Sequence, residues 1–273
     1  MQMKKVLALF LAILMLLTLC ACDQTKKPIL RVAISPDFPP MEFYADGKNG
    51  QDRIVGFDVT LAEYLANGLG MELEIVPMSF EACQDAVENG DVDMAISGFS
   101  WLPQRAERFN LSITYHAGDN SANQVLLTKA ENAAVFSDPD AFSGIMVGAQ
   151  TASLQEWLVQ QQLPGAFLLT YKDLDQGLTL LRDNTIQAMA VAEGNANAIL
   201  ATHPELAKAD FRFELSQDLT DNLILLPKGA DELTEKVNEL LSKAESAGYY
   251  PQWYAQALAQ AGIVLETTSP TGE

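Results

Sequence analysis

The chain has 273 residues, 48% of them hydrophobic, which suffices for one large domain or two of ordinary size and excludes disorder for most of its length. Lys and Arg number 17 against 36 Asp and Glu, and a net charge of −19 repels phosphate backbones, so nucleic acid is excluded as a partner. Three cysteines and two histidines, without CxxC or HxxxH spacing, leave no basis for a metal centre, and no cofactor is expected.

Lys4 and Lys5 precede an apolar run over 6–17. A membrane-spanning helix needs about 20 apolar residues, so this shorter run reads as a secretory signal. It ends in Leu19-Cys20-Ala21-Cys22, which resembles a bacterial lipobox: Ala21 is the small residue before the cysteine, and Leu19 stands three places ahead of it. Lipidation is therefore expected at Cys22, with residues 1–21 removed and 22–28 serving as a tether. Cleavage near Ala21 without lipidation is the alternative. Either route leads out of the cytoplasm, and the lipid alone would hold the protein on the outer face of the cytoplasmic membrane, at the cell surface or in a periplasm. In a two-membrane envelope, Asp23 resembles the signal that retains a lipoprotein on the inner membrane. Besides the anchor, the mature chain keeps one thiol, Cys83, expected as buried helix filler.

The fold is expected to begin at Ile29. Leu30, Val32 and Ile34 alternate as in a strand, 59–69 has helical spacing with Asp58 placed as its cap, and 72–76 reads as a strand stopped by Pro77. A helix over 80–89 closes at Gly90, and 92–97 gives a third strand. After a polar break around 117–123, strands over 145–149, 167–171 and 187–192 alternate with helices over 153–161, 174–182 and 195–201. A strand over 223–226 and helices over 231–247 and 252–261 follow, and 266–273 reads as a frayed tail. Such alternation indicates an α/β protein built as two tandem units on mainly parallel sheets.

Two segments sit at the carboxyl ends of strands, where open α/β sheets bind ligands. In the run from Ser35 to Phe43, prolines fix φ and make a stiff loop presenting Phe38. In the run from Ala95 to Arg105, Ser97 and Ser100 offer hydroxyls, Gly98 permits close backbone approach, and Arg105 offers a planar fork for a carboxylate.

Taken in order, Pro-Asp-Phe-Pro-Pro-Met-Glu-Phe (36–43), Ile-Val-Gly-Phe-Asp-Val (54–59), Asp-Val-Asp-Met-Ala-Ile-Ser-Gly (91–98), Pro-Gln-Arg (103–105) and Val-Gly-Ala-Gln-Thr-Ala-Ser-Leu-Gln-Glu (147–156) resemble the extracytoplasmic solute-binding proteins of polar amino-acid ABC transporters. That resemblance covers nearly the whole mature chain. It implies two Rossmann-like lobes joined by two hinge strands, the type II periplasmic binding protein fold, with lobe 1 at 29–118 and 216–265 and lobe 2 at 119–215. An amino acid would lie in the cleft between them. Phe38 and Phe80 match the aromatic faces that sandwich the ligand side chain. Ser97, Gly98 and Ser100 match the segment holding its amino and carboxylate groups, Arg105 the arginine that clamps the carboxylate, and Ser153 a hydroxyl at a helix start. The sequence departs from the family at Leu154, where a second hydroxyl is common, and at Ala192, where an aspartate usually meets the ligand ammonium. The neighbouring Glu193 is expected to supply that anion.

The resemblance implies a monomeric receptor that hands an amino acid to an ABC permease and its ATPase. Alternatives are a cleft enzyme on the same fold, resembling cyclohexadienyl dehydratase, and a receptor for a small anion other than an amino acid. A sensor acting through a partner is a further class. Two phenylalanines, and Ser35 in the place before Pro36 where basic-amino-acid binders often carry an acid, favour a neutral ligand side chain, leaving only Asp37 or Glu42 for a cation. Trp101 is expected either to wall the pocket or to fill core, and His116 and His203 to be structural or solvated.

Overall fold

The computed structural model describes residues 26–263 except 46, 48, 49 and 117–122. The signal segment, Cys22, Asp23 and the 266–273 tail lie outside the described residues.

Two five-stranded sheets carry the fold. In the first, β1 (Ile29–Ile34) lies parallel between β5 (Glu72–Pro77) and β6 (Met94–Ser100). Beyond β6, β13 (Asn222–Pro227) and β7 (Phe109–Leu111) run antiparallel. The second sheet repeats the plan with β10 (Phe167–Tyr171), β9 (Met146–Gln150) and β11 (Ala188–Ala192) parallel, then β8 (Gln124–Lys129) and β12 (Leu206–Arg212) antiparallel. A small sheet of β2 (Asp37–Phe38), β3 (Glu42–Tyr44) and β4 (Ile54–Val55) lies along the proline-rich run, expected to be a loop. Between β2 and β3 the Pro39–Pro40 peptide is cis.

Both faces of each large sheet are covered, so the central strands are apolar throughout rather than alternating. On the first sheet, α1 (Phe57–Leu69), α7 (Asp231–Ser246) and α8 (Tyr249–Gln260) enclose one core, and α2 (Phe80–Asn89) the other. Cys83 is fully buried in the second of these, with its thiol pushed far up by burial, as expected of filler. On the second sheet, α4 (Leu154–Gln162) covers one face, and α5 (Leu174–Arg182) with α6 (Glu193–Thr202) the other.

Helix α1 begins two residues before its expected start, and Asp58 is not its cap. Gly56 takes that place at φ 129°, where a Cβ would stand 2.2 Å from the Met41 carbonyl oxygen. Asp58 is instead wholly buried within the first turn.

The chain passes between the sheets twice, from β7 to β8 and from β12 to β13. Tyr115 on the first passage pairs antiparallel with Asn222, where the second ends, its N–H donating to the Asn222 carbonyl at 2.8 Å. The Asn222 amide returns a bond to the His116 carbonyl at 2.9 Å.

Candidate functional site: a cleft between two sheets

The cleft is lined from the first sheet's side by Asp37, Phe38, Glu42, Phe80, Ser97, Gly98, Ser100 and Arg105. From the second it is lined by Gln150, Ser153, Leu154, Gln155, Leu174, residues 190–192 and Asn195. Seven of the residues singled out in the sequence, Phe38, Phe80, Ser97, Gly98, Ser100, Arg105 and Ser153, therefore meet in one place. They do so because β1, β6 and β9 all point their carboxyl ends into it.

Arg105 lies on the short helix α3 (Pro103–Arg108), is 1% exposed, and is held on three sides. Its Nη1 donates to the Ser100 carbonyl at 2.6 Å, its Nη2 to the Ala152 carbonyl at 2.7 Å across the cleft, and its Nε to Gln84 Oε1 at 3.4 Å. One N–H on each terminal nitrogen remains for a carboxylate. Its Cζ stands 5.5 Å from the centroid of Phe80 and 5.2 Å from that of Phe99, so aromatic faces fix the plane of the fork. Burial pushes the guanidinium down to about 9, so it keeps its charge at neutral pH. Phe80 thus supports the arginine as well as lining the cleft.

Ser97 binds three ways. Its hydroxyl donates to Glu42 Oε1 at 2.5 Å and accepts the Ser35 N–H at 3.0 Å, with a longer contact of 3.5 Å to the Ser35 carbonyl. Gly98, at φ 57°, directs its N–H to Asp58 Oδ2 at 2.9 Å. Asp58 also accepts the Tyr115 hydroxyl at 3.0 and 3.1 Å, tying the ligand-facing end of β6 to the first passage between the sheets. Burial holds the Asp58 carboxyl up at about 6.

On the second sheet's side, Ser153 caps α4 by accepting the Glu156 N–H at 3.1 Å, leaving its own O–H to donate into the cleft. The preceding Ala152 sits at φ 61°, with its N–H on Glu156 Oε2 at 2.5 Å. That left-handed turn presents its carbonyl to Gln84 Nε2 at 3.2 Å and to Arg105. A second link across the cleft joins Gln150 Nε2 to Asp37 Oδ2 at 3.0 Å, with the Leu174 N–H at 3.4 Å from the same oxygen.

Glu193 corrects the expectation placed on it. It opens α6 but turns away from the cleft, and its carboxylate accepts Lys208 Nζ at 2.6 Å and Asn123 Nδ2 at 3.0 Å. Lys208 sits on β12, a strand the sequence reading did not anticipate, and its hydrogen bond, more than its charge, holds the Glu193 carboxyl below its ordinary range. Ala192 leaves no anion at the end of β11. Trp101 neither walls the cleft nor fills core: it is 39% exposed. His116 packs structurally, 5.0 Å from the Phe57 ring and 4.5 Å from that of Tyr254. Sequence reasoning missed Gln150, Gln155 and Asn195, although Gln150 ends a parallel strand and was open to the argument made for Ser97.

No helix among the described residues is long and apolar enough to cross a membrane. Among those residues, no group of three or more His, Cys, Asp or Glu side chains is arranged to hold a metal ion.

Curated relatives span nearly the whole chain. A probable histidine-binding protein of Campylobacter jejuni is 27% identical over 250 residues, covering 84% of this chain and 93% of its own. The arginine-binding extracellular protein ArtP of Bacillus subtilis is 29% identical over 263 residues, covering 90% and 94%. Among solved structures, the amino acid ABC transporter substrate-binding protein AbpA of Streptococcus pneumoniae, bound to L-arginine, superposes with a TM-score of 0.75 at 32% identity, over 85% of this chain and 95% of that one. The family model for bacterial extracellular solute-binding proteins, family 3, matches residues 30–260, and the chain belongs to that family.

Proposed function

We propose that the protein is the substrate-binding component of an amino-acid ABC importer, and that its ligand carries a cationic side chain, arginine before histidine. The observation carrying the ligand class is Glu42, which lines the cleft at 1% exposure, receives no donor at its Oε2, and meets only Ser97 and a second carboxyl, Asp58. Ionising a carboxyl buried beside another is costly, and a ligand cation relieves that cost. The ligand carboxylate takes the two N–H groups left on Arg105, and the Phe38 ring lies along the side chain. A neutral side chain, expected from the two phenylalanines, has less support because the Phe80 ring faces the Arg105 guanidinium. The names of the histidine- and arginine-binding relatives support the same class.

Closure follows from contacts to both sides. Arg105 to Ala152 and Asp37 to Gln150 already bridge the cleft, and a ligand touching Arg105 and Ser153 adds to the closed state alone. In this reading the lobes comprise 29–118 with 216–265, and 119–215. The protein works as a monomeric receptor rather than an enzyme, a reading supported by relatives named as binding proteins. It is lipid-anchored at Cys22 outside the cytoplasmic membrane and docks on its permease.

The test is a melt of refolded, ligand-free protein (residues 23–273) against the twenty amino acids. A ligand at 1,000 times its Kd adds about 4 kcal/mol, which moves Tm by several degrees at this size. The largest shift is expected with arginine; a larger shift with a neutral amino acid, or none with arginine, lysine and histidine, overturns the ligand class. Mass spectrometry of protein from its native membrane is expected to find diacylglycerol on Cys22.

A further inference from the structure

Glu42 and Asp58 form a buried pair of carboxyl groups with no cation assigned to either. Glu42 is 1% exposed and Asp58 wholly buried. Two adjacent carboxylates in a dry interior cannot both stay ionised without a positive partner, so the pair retains a proton. The groups around them bring hydrogen bonds but no bonded cation, and the two carboxyls bond to each other. Asp58 faces Glu42 from α1 and Asp37 faces it from β2, both adding negative charge, while the Tyr115 phenol on the first passage and the Cys83 thiol on α2 stay neutral. Ser97 on β6 donates one hydrogen bond to Oε1. Arg105 lines the same cleft, but its bonds run to Ser100, Ala152 and Gln84. Burial first, then the Asp58 charge, lifts the Glu42 carboxyl well above its ordinary range.

We propose that the cleft is a cation exchanger: Glu42 and Asp58 share one proton in the ligand-free protein, and a cationic side chain arriving at Glu42 Oε2 displaces it to solvent. The charge balances. One proton on two carboxyl groups leaves one net negative charge; two carboxylates with one ligand cation leave the same. A neutral side chain of similar shape keeps the proton in place, accepting a hydrogen bond from Glu42 instead of making an ion pair. Asp58 does not line the cleft, so it acts through Glu42 as a positioning residue. Through Gly98 and Tyr115 it also carries the change in charge to the ligand-facing strand and to the passage between the sheets.

This inference rests on the cationic-ligand reading, and the experiment separates the two. Ligand-free protein is titrated calorimetrically with arginine and with its neutral isostere citrulline between pH 5 and 8, in buffers of different ionisation enthalpy. Expected is release of about one proton per arginine where the pair is protonated, an arginine affinity rising about tenfold per pH unit there, and no release with citrulline. In Glu42→Gln, release is expected to vanish, and a circular dichroism spectrum like that of the parent protein reports that the variant is folded. Arginine binding whose heat is the same in every buffer at every pH overturns the proposal, as does release that persists in Glu42→Gln. Failure of arginine, lysine and histidine to bind at all overturns the ligand reading, and this inference with it.

Discussion

The two sheets share one plan, three parallel strands, a fourth antiparallel to them and a fifth antiparallel to the fourth, yet they bring different chemistry to the cleft. The first sheet's side supplies every ionisable group that lines it, Asp37, Glu42 and Arg105; Glu42 and Arg105 are fixed mostly by bonds on their own side, while Asp37 is bonded mainly across the cleft. The second supplies amides, one hydroxyl and apolar surface: Gln150, Gln155, Asn195, Ser153 and residues 190–192. The difference teaches a division of labour. Charges that must be desolvated are held on a prearranged surface, where reorganisation is small, and the side that closes carries groups whose exposure to water in the open state costs little.

That comparison breaks most sharply at Arg105. Arg105→Ala removes the carboxylate fork from the first side and is expected to weaken amino-acid binding about a thousandfold by calorimetry, two charge-assisted bonds being lost. Glu42→Gln keeps the shape and removes the charge, so arginine affinity should fall roughly thirtyfold while citrulline is retained.

Asp58 sharpens the account through stability. Burial raises its folded carboxyl above the ordinary 3.8, so between the ordinary and the raised value the unfolded chain has given up a proton that the folded one keeps. Its contribution is therefore fully present below the lower value and is lost as pH rises through the higher one. Ligand-free protein should lose several degrees of Tm from this source over that window, and Asp58→Asn should flatten the profile.

Substitutions on the second side should cost less. Gln150→Ala removes one bond across the cleft to Asp37 and is expected to weaken ligand binding about fivefold, with Leu174 still in place. Glu193→Gln should leave affinity within about twofold and lower stability by less than ~1 kcal/mol, because it removes only a partly exposed pair with Lys208.

Much of the cleft was legible because its residues cluster in short runs at strand ends. Phe38 follows the first strand, the segment from Ser97 to Arg105 follows the third, and Ser153 opens a helix. The elements that escaped are those set by partners distant in sequence. Strands β8 and β12 lie antiparallel at the edge of the second sheet, and neither has a helix following it to mark it in the alternation. Without β12 there was no Lys208 to draw Glu193 outward. Asp58 read as a cap because it precedes an apolar helical run, the ordinary place for a capping aspartate. Only the meeting of α1 with Gly98, 40 residues on, and Tyr115, 57 residues on, makes it a buried tie instead. Glu42 carried a faint signal: an acid within a stiff, apolar, proline-rich segment is poorly placed to reach water.

The most direct test of the central claim is a crystal structure of the protein grown with arginine. The expected result has the ligand carboxylate within hydrogen-bond distance of both terminal nitrogens of Arg105, its guanidinium on Glu42 Oε2, and Glu193 still paired with Lys208. A ligand lying the other way round, or Glu193 turned into the cleft to meet its ammonium, would contradict the account.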